Sequence, residues 1–126
     1  MEKVVADFME NEQMDTLDLT GQSLLDVEIY EILQLARSAK KIRCLKLGRN
    51  KLTTEGLGRV LELLPAVPNL NLSFNQLTDD AITTLLAHRQ KVPQLRIVNL
   101  SNNRINERRV KTAIDELKRM GLIATI

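Results

Sequence analysis

Two side chains in this 126-residue sequence, His88 and Cys44, are suited to acid–base, metal or nucleophilic chemistry, and each is the only one of its type. A single histidine on a segment of helical period has no second imidazole with which to hold a metal. No Ser/His/Asp or Cys/His constellation is readable around either residue. Cys44 lies among Arg43, Lys46 and Arg49, a cationic neighbourhood of the kind that lowers a thiol pKa. One cysteine excludes an internal disulfide and suits a reducing compartment. No glycine-rich phosphate loop is present. The sequence therefore assigns no catalytic residue, no metal ligand and no cofactor.

Charge carries the next signal. Residues 1–36 hold nine acids and one base, a net −8, while the rest carries +10, which returns the overall +2. Arg37 to Lys51 alone contributes seven bases and no acid. Such asymmetry either orients a partner or is simply a solvated surface. A nucleic-acid role through 37–51 is the third-ranked function. Against it, the run crosses a helix end, a strand and a turn, and aromatics for base stacking are only 2% of the chain.

The elements that must position these groups repeat. Ile42 to Leu52 reads apolar-x-x-Leu-x-Leu-x-x-Asn-x-Leu, and the pattern recurs at Val67–Leu77 and Leu95–Ile105, with a fainter copy at Met14–Leu24. The first strand leucine or its valine equivalent falls at 17, 45, 70 and 98, giving steps of 28, 25 and 28. Leu-x-Leu alternates as a strand with one buried face does. Asn50, Asn75 and Asn103, with Gln22 in the first copy, stand where the chain leaves the strand, and stacked amides there form a hydrogen-bonded ladder. Helix-period segments at 26–39, 54–64, 79–90 and 107–120 return the chain, with Asp26, Thr53 or Thr54, Thr78 or Asp79, and Asn106 as N-caps. Residues 2–13 form an apolar/acidic helix, read as the cap over the first repeat, with a partner-binding helix as the alternative.

This pattern resembles the leucine-rich repeat family, in particular its 28-residue, ribonuclease-inhibitor-like class. Gly56 and Ala81 occupy the class's small-residue position, and Glu28 and Arg109 depart from it. The resemblance implies an α/β solenoid, with a parallel sheet on the concave face, helices on the convex face, and partners held by the concave face or its rim. The chain is read as one domain over 1–126: capping helix 1–13, four repeats over 14–120, and a truncated fifth strand at 121–126.

Strand positions pointing away from the core place Asp18, Lys46, Asn71 and Asn99 in a central column. Phe74, on the lip where strand becomes turn, is either an interface anchor or folded back on the next turn. Phe74 with Arg49, Lys51 and Arg104 makes the sharpest candidate patch. The expected function is non-catalytic protein–protein interaction through the concave face and lip. Regulation of a GTPase is the alternative, since similar repeats occur in the Ran GTPase-activating protein. No apolar run approaches the roughly 18 residues of a membrane span. The N-terminus has no signal-peptide pattern, and the chain is read as intracellular and cytoplasmic. Adding 28 to Leu95 and Val98 gives Ile123 and Ile126 as strand positions of the fifth motif. The edge of the last full strand is then partly unpaired, which favours a homo-oligomer or a longer array over a tail folded as a cap.

Overall fold

The computed structural model describes residues 2–11, 13–36, 42–64 and 66–126. Five three-residue strands alternate with helices: α1 (Glu2–Glu10), β1 (Thr16–Asp18), α2 (Asp26–Ala36), β2 (Cys44–Lys46), α3 (Thr54–Leu63) and β3 (Asn69–Asn71). They are followed by α4 (Asp80–His88), a 3-10 turn at Arg89–Lys91, β4 (Ile97–Asn99), α5 (Glu107–Arg119) and β5 (Ile123–Thr125). The end of the second expected helix, the 37–41 part of the basic run and Pro65 lie outside the described residues.

The strands form one parallel sheet in the order β1-β2-β3-β4-β5. Leu17, Leu45, Leu70 and Val98 align across it and point into the core. Each helix packs on the next on the opposite side. Strands stack about 4.8 Å apart and helices about 8–10 Å, so the layers share one stack only by curving, with the sheet inside. Leu19, Leu47, Leu72 and Leu100 add a second buried row, and Leu24, Leu52 and Leu77 a third. At the first repeat, α1 lays buried Val5 and Phe8 against β1 and α2.

Strands this short do not fix their own neighbours, and the asparagines complete the turns. The Asn50 amide donates to the carbonyls of Leu47 (3.0 Å) and of Leu19 in the preceding repeat (2.9 Å). Its Oδ1 accepts from Leu24 N–H at 2.9 Å. Asn75 bonds likewise to Leu72, Leu47 and Leu52 N–H, and Asn103 to Leu100, Leu72 and Leu77 N–H. Gln22 does not belong to this ladder. Its side chain is exposed and, among the described residues, bonds only to Thr20 O, within its own turn, at 3.4 Å. The rungs reach backward, and on that side of the first turn the described residues place α1 against β1 and α2.

A second ladder runs forward along the edge where helices begin. Asp26 Oδ1 accepts from Thr53 N–H (2.8 Å), Thr54 Oγ1 from Thr78 N–H (3.2 Å), and Asp79 Oδ1 from Asn106 N–H (2.6 Å). Asp79, of the Thr78 or Asp79 alternatives, stands at the N-cap of α4 without a side-chain cap bond, and its carboxylate, like that of Asp26, instead satisfies the cap residue of the following helix. Thr53 and Asn106 do cap α3 and α5. Gly56 is small for a specific reason: a Cβ there would lie 2.3 Å from Asp26 Oδ1. At the same position of their repeats, Glu28 accepts from Leu25 N–H within its own turn at 3.1 Å, and Arg109 faces Asp79 of the preceding repeat at 3.8 Å.

The fifth motif sits in a different register from the expected one. Ile123 aligns with Ile97 and Ala124 with Val98, so the step is 26 residues and Ala124, not Ile126, points inward. Gly121 (φ +85°) ends α5 in a left-handed turn that drops Leu122 into the core, which leaves no slack for a 28-residue step. The exposed edge is therefore not that of β4, which β5 covers.

Replacing Asn75 with Ala should lower stability by about 1–3 kcal/mol, because it orphans buried backbone groups of two repeats. Gln22→Ala should stay within about 0.5 kcal/mol of the parent. Urea midpoints measure both, and equal losses would contradict the backward polarity of the ladder. Gly56→Ala should cost about 1–3 kcal/mol by overpacking. Combining it with Asp26→Ala should cost less than the sum of the two single changes; strict additivity would show that the carboxylate is not what the methyl strikes.

Candidate functional site

The parallel register sets two outward columns on the sheet face. One is Thr16, Cys44, Asn69, Ile97 and Ile123; the other is Asp18, Lys46, Asn71, Asn99 and Thr125. Three members of the second column turn back on the chain two residues later. Asp18 Oδ1 accepts from Thr20 N–H (3.0 Å), Asn71 Oδ1 from Ser73 N–H (2.9 Å) and Asn99 Oδ1 from Ser101 N–H (2.9 Å). Bonds from the Thr20 hydroxyl and amide, with a smaller contribution from Lys46, hold the Asp18 carboxyl below the usual carboxylate range. For Asn71 and Asn99 these bonds fix the amide orientation, so each carboxamide nitrogen remains as a donor.

The next column is the lip. Gly21, Arg49, Phe74 and Asn102 all have left-handed backbone, with φ of +72°, +55°, +54° and +59°. The conformation keeps the ladder going past the strand: Gly21 N–H donates to Gly48 O, Arg49 N–H to Ser73 O and Phe74 N–H to Ser101 O. Glycine adopts it freely, whereas a bulky residue there is a genuine outlier costing on the order of 1 kcal/mol. Phe74 is nevertheless present, 42% exposed, and the Arg49 guanidinium lies 4.1 Å from its ring centroid. The ring is thus stacked on the lip of the preceding repeat. Arg104 and Lys51 are exposed on the flank beyond the asparagine ladder and take no part in this stack.

The other candidates are structural. His88 bonds to Thr84 O through Nδ1 at 2.9 Å and lies 3.9 Å from Glu62 through Nε2. No cluster able to hold a metal occurs among the described residues. The Cys44 thiol pKa is raised, not lowered. Partial burial is the main cause, Asp15 and Asp18 add to it, and Lys46 opposes it. The described part of the basic run disperses over flank, face and lip, with Arg43 drawn toward Asp15 at 3.8 Å.

A family model described as Leucine Rich repeat matches residues 38–59 and 69–86. Two solved structures superpose on 98% of the chain. One is the actin-binding site 2 of leiomodin-1, with a TM-score of 0.75, 13% identity and 74% of that chain covered. The other is a chain of the Chaetomium Mex67:Mtr2 subunits, with a TM-score of 0.68, 18% identity and 88% of that chain covered. The chain has the fold of a leucine-rich repeat solenoid.

Sequence reasoning missed one polar anchor of this leucine-rich repeat core. Arg89 is buried, and its guanidinium donates to the carbonyls of Val92 (2.9 Å), Leu95 (2.8 Å) and Met120 (3.0 Å). It ties the turn before β4 to the C-terminus of α5, where a cation is favoured. In the sequence it stands in His-Arg-Gln-Lys, indistinguishable from an exposed helix end.

Phe74→Gly should leave the urea midpoint of the solenoid unchanged or slightly raised, since relief of the left-handed strain offsets the lost ring contact. A loss above about 2 kcal/mol would make the ring a core element instead of a displayed one.

Proposed function

We propose that this solenoid is a non-catalytic interaction module that holds a partner protein through its concave sheet face and adjoining lip. The observation carrying this reading is the Arg49–Phe74 stack: an exposed aromatic kept on backbone that disfavours it, at the border of a polar face. Strain retained at a position with no core role is a mark of function, and aromatic and arginine side chains are the usual anchors of interfaces. Asp18, Lys46, Asn71 and Asn99 supply the polar surround, and Arg104 extends it along the flank. The repeat steps favour the ribonuclease-inhibitor-like class. A similar fold occurs in leiomodin-1, in a segment named for actin binding, and in a chain of the Mex67:Mtr2 subunits. The single, partly buried thiol fits an intracellular, cytoplasmic setting.

A photo-reactive benzoylphenylalanine at position 74, which keeps an aromatic ring on the lip, should cross-link a protein partner in native extract. The same group at Glu116 on α5 should not, and Arg49→Glu should reduce the product at 74. Cross-linking from position 116 alone would move the site to the convex side.

A further inference from the structure

Resting on that reading of the sheet face, we propose that the partner contributes an acidic segment bearing a large apolar side chain. Three observations converge on this chemistry. The strand-and-turn stretches of the last three repeats (42–53, 67–78 and 95–106) contain Arg43, Lys46, Arg49, Lys51, Arg96 and Arg104 and not one carboxylate. Arg43 is drawn toward Asp15; the other five form no ion pair among the described residues. The acids of these repeats lie on the helices or at their first turns, on the other side of the core.

The neutral groups on the face point the same way. Asn71 and Asn99 have their oxygens held by Ser73 and Ser101, through both the backbone N–H and the hydroxyl. What they present outward is N–H. Cations and amide donors together require acceptors from whatever covers them, because a buried donor or charge without a partner is costly.

The third observation separates a protein from other polyanions. In the first outward column polar residues give way to Ile97 and Ile123, which are register partners on adjacent strands and 46% and 51% exposed. Two isoleucines about 4.8 Å apart form an apolar step beside the donor surface. A nucleic-acid backbone would use the cations but gain nothing from that step. The exposed aromatic on the lip, Phe74, already has Arg49 over its ring, so it is poorly placed to stack a base. An acidic segment with a leucine- or phenylalanine-sized side chain satisfies all three features.

The test is fluorescence anisotropy on the whole chain with labelled peptides of repeated Glu-Glu-Leu, Glu-Glu-Ser and Lys-Lys-Leu, and with an oligouridine of matched charge. Glu-Glu-Leu should bind at least about tenfold tighter than the other peptides and weaken with salt. Ile97→Ser should bring it down to the Glu-Glu-Ser level, and Lys46→Glu with Arg104→Glu should remove about tenfold or more in affinity. These residues are exposed or half-exposed, and an unchanged circular dichroism spectrum verifies folding. Preference for Lys-Lys-Leu, oligouridine binding indifferent to Ile97→Ser, or no difference between Glu-Glu-Leu and Glu-Glu-Ser would each overturn the proposal. If any of these occurs while position 74 still cross-links a protein, only the partner chemistry fails; if cross-linking moves to position 116, the interaction reading fails with it.

Discussion

Everything in this molecule depends on a side-chain amide reaching from one repeat into the backbone of the one before it. The strands are three residues long and the turns after them leave the sheet at once, so many main-chain groups are carried into the core unpaired by strand ladders. Buried backbone groups without partners cost about 1–3 kcal/mol each. One asparagine per turn answers several at a time: Asn50 alone bonds to groups of Leu19, Leu24 and Leu47. Leucine rows supply the hydrophobic driving force, but apolar contact is non-directional. The amides set which turn lies over which, and the helix-edge ladder through Asp26, Thr54 and Asp79 does the same on the far side.

The same continuity explains the lip. For the parallel ladder to continue past the strand, the residue after Thr20, Gly48, Ser73 or Ser101 must swing into left-handed backbone. The fold needs that conformation and nothing from the side chain, which is thrown outward at a bend. Gly21 and Asn102 are the choices stability alone favours. Arg49 and Phe74 are not, and their mutual stacking is a partial compensation. A scaffold requirement and a displayed pair of residues thus occupy one position.

Much of this was legible in the sequence because its signals are periodic. The step between copies of Leu-x-Leu places β1 to β4 in register, and the columns containing Lys46 and Asn71 follow by counting. Five things were hidden for physical reasons. Gln22 has an amide like the asparagines, but its side chain stays exposed in its own turn while α1 packs against β1 and α2. Asp26 and Asp79 look like caps in one dimension, since a sequence cannot say which helix a carboxylate caps. The register of β5 depends on a left-handed turn at Gly121 that shortens one connection by two residues. Arg89 lay in a cluster of polar residues where nothing marked it for burial. At the lip, the sequence named Phe74 and Arg49 but not their stacking, which arises from adjacency across repeats.

The backward direction of the asparagine ladder bears on how the chain acquires structure as it is made. Leu24 N–H has no partner until Asn50 exists, 26 residues later, and Leu52 N–H waits likewise for Asn75, 23 residues on. At translation rates of about 5–20 residues per second, each turn emerges from the ribosome roughly one to five seconds before the residue that completes it. The molecule is therefore assembled with a lag of one repeat: the newest turn is always provisional, and its successor makes it permanent.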